Sequence, residues 1–264
     1  MSPRAADMYA LTGRVAIVTG GRGLYGAPIC EGLAEMGAHV VIASRDEAAC
    51  ETLAKELVAK GLSAQGAYLD LKDDHSIIRL TERTVKEHGQ IDILVNNAVS
   101  RDAYGSFEHL TREVMAASLD VNILGMMVLT QQVLPIMREA GSGSVINISS
   151  IQGVSAPHFP YYEPGQSSPS GYTFEKWGLI GFTKWLAASF GRDGIRANAV
   201  SPGGYNPELS NTHPDFFKTY AEHTPLGKWP DRDDIKGPVC FLASDASRYV
   251  TGHNLVMDGG FTIW

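Results

Sequence analysis

Tyr172 and Lys176 stand four residues apart in the run Gly171-Tyr172-Thr173-Phe174-Glu175-Lys176-Trp177-Gly178. The run reads as the opening turns of a helix, which stacks side chains four apart on one face. A tyrosine phenol has a pKa of about 10 in water. A neighbouring ammonium stabilises the phenolate and lowers that value, so the phenol can give or take a proton near neutral pH. The spacing is not specific by itself. Tyr68 and Lys72 share it, but they fall at the end of a predicted strand, where residues four apart do not form a stacked helical pair. Tyr172 is set apart by its company: Ser150 on a preceding strand and a glycine-rich turn near the N-terminus.

That turn, Gly20-Gly21-Arg22-Gly23-Leu24-Tyr25-Gly26, follows an apolar, β-branched strand over 14–19 and opens a helix that runs to Met36, with Gly37 as its C-cap. Pro28 falls near the helix start, where a missing N–H costs little. A second buried strand spans 39–44. In such a βαβ unit glycines let the backbone approach a pyrophosphate, and the helix N-terminus supplies N–H groups and positive dipole. The second strand ends in Ser44-Arg45-Asp46. Arg45 can clamp a 2′-phosphate and Arg22 can reach the same group, which favours NADP(H). The alternative is NAD(H), with both arginines solvated and Asp46 on the ribose hydroxyls.

The alternation continues and positions the remaining candidates. Helices are expected over 46–60, 74–88, 111–138 (carrying Asn122), 170–190 and 232–243, and strands over 63–69, 91–96, 144–149, 194–201 and 253–258. In an open parallel sheet ligands bind outside the carboxyl ends of the strands, and Asn96, Ser150 and the glycine turn all fall there. The segment 151–170 carries Pro157, Pro160, Pro164 and Pro169 interleaved with His158, Tyr161, Tyr162 and Glu163. It reads either as a functional loop or as an excursion packing on a neighbouring subunit. The segment 206–230 is polar and aromatic, with at most a short helix over 214–222. No linker interrupts the pattern, so 1–264 reads as a single α/β domain, with substrate loops over 99–110, 151–171 and 204–230.

Bulk properties narrow the class. A chain of 264 residues that is 44% hydrophobic can bury one full core. A net charge of −7 argues against nucleic-acid binding by a basic surface and suits a cytoplasmic enzyme. Cys30, Cys50 and Cys240 are widely spaced, and no clustered His/Cys pattern suggests a metal. The first ten residues lack the apolar core of a signal peptide. No run approaches the length of a membrane span, so no membrane partner is expected. Asn147-Ile148-Ser149 fits a glycosylation sequon but lies in an apolar strand.

Over essentially its whole length the chain resembles the short-chain dehydrogenase/reductase family. The matching residues are Thr19-Gly20 with Gly26, Asp70, Asn96-Asn97-Ala98, Asn122, Ser150, Tyr172 with Lys176, Pro202-Gly203 and Asp258-Gly259-Gly260. The resemblance implies a single-domain Rossmann-type fold, a doubly wound parallel sheet flanked by helices. It implies a nicotinamide cofactor, no metal, and a catalytic set of Asn122, Ser150, Tyr172 and Lys176. Tyr172 would exchange a proton with the substrate oxygen and Ser150 would hydrogen-bond that oxygen. Lys176 would lower the Tyr172 pKa and bind the nicotinamide ribose, and Asn122 would hold a water linking Lys176 to solvent. The cofactor set is Gly20, Arg22, Gly23, Leu24, Gly26, Ser44, Arg45, Asp70, Leu71, Asn96, Ala98, Tyr172, Lys176, Pro202 and Gly203. The family resemblance also implies a homotetramer or homodimer packed through the Asn122 and Tyr172 helices. The chain departs from the family pattern at three points. Leu24 takes the place of a middle glycine, Val99 follows Asn-Asn-Ala in place of a glycine, and Pro207 stands where a threonine is common.

The substrate would be bounded by Arg101, Ser150, Gln152, His158, Tyr161, Glu163, Tyr172 and Asn206, with Arg101 a candidate for a substrate anion. So many polar groups suit a sugar, polyol or sugar-acid derivative, which places the chain in carbohydrate metabolism. A 3-oxoacyl thioester reductase is the alternative, and a non-catalytic dinucleotide-binding sensor is a third reading.

Overall fold

The computed structural model describes residues 4–101, 103, 105–162 and 168–263. Seven strands build one parallel sheet: β1 Val15–Thr19, β2 His39–Ser44, β3 Ala64–Tyr68, β4 Ile93–Asn96, β5 Gly143–Ile148, β6 Ile195–Pro202 and β7 Asn254–Met257. Their spatial order is β3-β2-β1-β4-β5-β6-β7. The order reverses between β1 and β4, where the chain turns outward on both sides and leaves a crevice at the carboxyl ends. This is the Rossmann-type architecture the sequence predicts.

The central strands β1, β2 and β4 are largely apolar because helices cover both faces, while the edge strands β3 and β7 are only partly buried. Side chains alternate along each strand, and each face feeds its own core. Ala16, Val18, Val40, Ile42 and Val95 meet Ile29 and Leu33 of α1 (Gly26–Glu35), Leu57 of α2 (Glu47–Ala59) and Val239 and Leu242 of α9 (Lys236–Ala243). Val15, Ile17, Val41 and Leu94 meet Ile77 and Leu80 of α3 (Asp74–His88), Leu129, Val133 and Met137 of α5 (Met126–Ala140) and Leu186 of α6 (Ser170–Phe190). Helix ends follow local rules. The Asp46 side chain accepts from the Ala49 N–H and the Asp73 side chain from the His75 N–H, while Gly89 closes α3 at φ +79°.

Three stretches depart from the sequence reading. The helix predicted over 111–138 is composite: α4 (Arg112–Leu119), a π-helical segment Asp120–Gly125, then α5. The π segment ends where the backbone passes close to the loop after β3: a Cβ on Gly125 would collide with the Leu71 carbonyl. The 206–230 stretch holds two helices, α7 (Pro207–Thr212) and α8 (Pro214–Glu222), each opened by a proline at its first position. Finally, Arg112–Ala140 is long and apolar enough to cross a membrane by length and composition, against the expectation that no run approaches a span. Its α5 half lays its apolar face on the sheet, as a core helix does.

Candidate active site

The crevice at the β1/β4 reversal widens into a cleft of about 740 Å³. One end is lined by Gly20, Arg22, Gly23, Leu24, Tyr25, Ser44, Arg45, Asp46, Asp70, Leu71, Asn97 and Ala98. Gly20 adopts φ +62°, and a Cβ there would lie 2.8 Å from Ala98 Cα. Only glycine lets the turn after β1 pass this close to the loop after β4. Gly26 does not line the cleft: a Cβ on it would run into the Gly20 carbonyl, so its glycine is needed for packing behind the turn. Leu24, in the place of a middle glycine, is accommodated in the cleft wall.

At the end of β2 the Asp46 carboxylate caps α2 and stands 3.7 Å from the Arg22 guanidinium. Ser44 Oγ is tied to the Asp46 backbone and lies 3.0 Å from Cys50 Sγ. Arg45 and Arg22 therefore flank one polar corner, with the carboxylate already engaged in the cap. Asp70 Oδ1 accepts from the Lys72 N–H, which orders the loop after β3. The residues present fit a dinucleotide: a glycine cradle at a helix N-terminus, with two arginines beside the adenosine end.

Asn96 is displaced from its expected role. It is buried in β4, pairs in register with Asn147 of β5, and donates to Asn147 Oδ1 and Thr130 Oγ1. The residue that reaches the cleft is Asn97, whose Nδ2 donates to the Thr19 and Gly20 carbonyls. Strand alternation is the signal: the last strand residue points into the core and the next one leaves it.

Toward the other end the cleft is lined by Ser100, Arg101, Ser150, Gln152, Tyr172, Lys176, Pro202, Gly203, Tyr205 and Asn206. Ser150 directly follows β5, and its Oγ accepts from the Gln152 N–H at 3.1 Å. Gln152 Oε1 in turn accepts from Ser168 Oγ and Thr173 Oγ1, stitching the returning loop to α6. Lys176 Nζ donates to the Ile148 carbonyl at 2.7 Å and lies 5.4 Å from the Tyr172 ring centre. Ser149 Oγ donates to the Lys176 carbonyl, so α6 is fastened to the end of β5 by the same lysine from both its backbone and its side chain.

The electrostatics correct one expectation. The Tyr172 pKa is raised, because burial outweighs the Ser150 hydrogen bond and the Arg101 charge that favour the phenolate, and Glu175 adds to the rise. Burial also pulls Lys176 down to about 8, with Glu175 opposing and Arg101 assisting. Asn122 lies behind the cleft wall, and its side chain is engaged by Ser100, Ser118 and Glu175.

His158 and Tyr161 also lie off the main cleft. Their rings meet at a tilt of 33°, centroids 4.0 Å apart, in a small side pocket that shares Ile151, Gln152, Tyr162, Phe216 and Tyr220 with it. Glu163 lies outside the described residues, as do Asp102 and Tyr104. Several wall residues carry no sequence signal of their own. Tyr25 donates to the Gly203 carbonyl at 2.8 Å, joining the glycine turn to the loop after β6. Tyr162, Phe216 and Trp229 form an aromatic wall contributed by segments far apart in the chain. Among the described residues no His/Cys/Asp/Glu group has the arrangement of a metal site.

Comparison with known proteins agrees with this architecture. Residues 23–262 match a family model described as enoyl-(acyl carrier protein) reductase. A 7alpha-hydroxysteroid dehydrogenase from Bacteroides fragilis is 32% identical, with 95% of each chain covered. A 3-oxoacyl-[acyl-carrier-protein] reductase from Thermotoga maritima is 34% identical, covering 96% of this chain and 99% of that protein. A crystal structure of a gluconate 5-dehydrogenase from Burkholderia cenocepacia, in complex with NADP and tartrate, superimposes with a TM-score of 0.87 at 34% identity, covering 99% of this chain and all of that one. The names span a steroid alcohol, a carrier-bound thioester and a sugar acid, while oxidoreduction is common to all.

Proposed function

The chain belongs to the short-chain dehydrogenase/reductase family of NAD(P)-dependent oxidoreductases, and on that premise we propose that it interconverts a secondary alcohol and a ketone on a sugar, polyol or sugar-acid derivative. The observation that carries this reading is the polar wall around the Tyr172–Ser150 pair. Arg101, Ser100, Gln152 and Asn206 line the same cleft, and Arg101 is near enough to bias both Tyr172 and Lys176 electrostatically. A hydroxylated substrate finds donors and acceptors there, and a carboxylate finds a guanidinium. The related gluconate 5-dehydrogenase, crystallised with NADP and tartrate, supports the choice.

A bound nicotinamide supplies or accepts the hydride. Gly20, Arg22, Gly23, Leu24 and Ala98 would hold its phosphate region, Asp70 and Leu71 its adenine side, and Pro202 and Gly203 the nicotinamide side. Arg45 and Ser44, with Asp46 committed to its helix cap, favour NADP(H) over NAD(H). Ser150 hydrogen-bonds the substrate oxygen and steadies it as charge develops. Tyr172 donates its proton to that oxygen in reduction and removes it in oxidation. Lys176, as an ammonium, stabilises the phenolate. Residues 1–264 act as one catalytic domain, with 99–110, 151–171 and 204–230 around the substrate. The exposed Phe174, Trp177 and Trp185 on α6 support assembly as a homotetramer or homodimer, and the acidic net charge suits a cytoplasmic enzyme.

A 3-oxoacyl thioester reductase is the second reading, favoured by the aromatic wall of Tyr162, Phe216 and Trp229, which suits an acyl chain. The deciding experiment is a cofactor-coupled absorbance assay on sugars, sugar acids and 3-oxoacyl thioesters with both cofactors. Turnover of a sugar acid, falling about 10²–10⁴-fold in Tyr172→Phe while cofactor binding persists, is expected. Turnover of thioesters alone moves the function to the second reading. Tight cofactor binding with no turnover of any substrate class leaves an untested substrate or the sensor.

A further inference from the structure

Glu175 directly precedes Lys176 and is 2% exposed, yet none of the roles above uses it. Its two carboxylate oxygens accept from two side chains across the interface with α4 and the π segment: Ser118 Oγ at 2.7 Å and Asn122 Nδ2 at 2.7 Å. The direction of the second bond is fixed by chemistry. Asn122 Oδ1 accepts from the Ser100 N–H at 2.7 Å, and a backbone N–H can only donate, so the amide nitrogen must face Glu175. The same nitrogen also lies within reach of the Ser100 carbonyl at 3.0 Å and Ser118 Oγ at 3.1 Å, so its two hydrogens are shared among three acceptors, of which Glu175 is the nearest.

A buried carboxylate is costly unless hydrogen-bonded and paired with opposite charge. Next along the helix is Lys176, 8% exposed, the group that also needs compensation. Among the described residues, the groups acting on Lys176 are Glu175 on α6, Arg101 in the loop after β4, the Tyr172 ring and the Ile148 carbonyl of β5. Burial and Arg101 both oppose the ammonium, and Glu175 is the described anionic group that favours it.

We propose that Glu175 is a positioning residue for the reaction: a buried acidic side chain that locks the Asn122 side chain against the Ser100 loop and sets the surroundings of Lys176 beside Tyr172. The inference rests on the roles proposed above for Tyr172 and Lys176. Removing the charge has two opposed electrostatic effects. It eases Tyr172 toward its phenolate directly, and it withdraws support from the ammonium that stabilises the same phenolate. A titration of Lys176 separates the two.

The test is a carbon-13 NMR titration of the lysine side chains in the cofactor-free protein, with the Lys176 signal identified by its absence in Lys176→Met. In Glu175→Gln the Lys176 pKa should fall by about 1 pH unit, the size of a single charge at short range in a screened interior. In Glu175→Asp, which keeps the charge, it should stay near the wild-type value. The alkaline limb of the turnover–pH profile should move down with it in Glu175→Gln. A structural carboxylate would instead lower Tm in both variants and leave the Lys176 titration unmoved, and that result overturns the proposal. Should Glu175→Gln not fold, Glu175→Ala removes the same side chain with less bulk, and an unmoved Lys176 titration in that variant refutes the proposal. Neither titration needs turnover, so an unmoved lysine and an inactive substrate panel point to different failures.

Discussion

Replacing Lys176 by Met should make the protein more stable at neutral pH while abolishing its activity. Burial lowers the Lys176 pKa from 10.5 to about 8, which corresponds to about 3 kcal/mol of differential interaction between its two protonation states. Below pH 8 the folded protein must keep an ammonium that the unfolded chain holds at no cost, and that burden is present at neutral pH. Between about pH 8 and 10.5 the unfolded chain binds the proton and the folded protein does not, so wild-type stability rises with pH across this window, by at most about 1.4 kcal/mol per pH unit. Met removes the burden and fills similar volume, but it leaves the Ile148 carbonyl without its 2.7 Å donor, a loss of about 1–2 kcal/mol. The net expectation is a gain of about 1–2 kcal/mol at pH 7, shrinking and then reversing as pH rises. Urea unfolding of the cofactor-free wild type and Lys176→Met, repeated from about pH 6 to 10.5, isolates this one group in the difference between the curves. A stability difference that stays flat across the window would refute the claim that burial sets the Lys176 charge state.

Two further outcomes follow from the cofactor end of the cleft. Arg45→Ala should raise KM for NADP(H) by about 10–100-fold, the worth of one charged hydrogen bond, and leave NAD(H) kinetics nearly unchanged; equal effects on both cofactors would remove Arg45 from the 2′-phosphate. Gly20→Ala places a Cβ 2.8 Å from Ala98 Cα in a backbone with φ +62°. The left-handed conformation alone costs about 1–2 kcal/mol, and the clash pushes the two cleft walls apart, so lower Tm and weakened cofactor binding should appear together in thermal melts and fluorescence titration.

The two cores and their strands were legible because the central strands β1, β2 and β4 are short apolar runs rich in Val and Ile, and α3 and α6 begin and end where their periodicity and caps place them. The pairing of Tyr172 with Lys176, the proximity of Ser150 and the glycine cradle are likewise consequences of spacing and of strand order. The π segment could not be read, because its residues continue the helical pattern on either side and the close approach of Gly125 to Leu71 joins positions far apart in the chain. Periodicity within 206–230 was too short to announce α7.

What the amino-acid order determined by itself is the chemistry: which groups can transfer a proton, which turn can hold a pyrophosphate, and that both lie at one edge of a parallel sheet. Only the tertiary structure decided the state of those groups. Burial, a property of the whole packed domain, raises Tyr172 where a neighbouring cation would have lowered it. Register between β4 and β5 turns Asn96 inward and leaves Asn97 at the cleft. Packing of α6 against α4 makes Glu175 a partner of Asn122 and Ser118, although along the chain it is only the residue before a lysine. Charge, exposure and hydrogen bonding depend on neighbours brought from distant positions, and local sequence does not encode them one residue at a time.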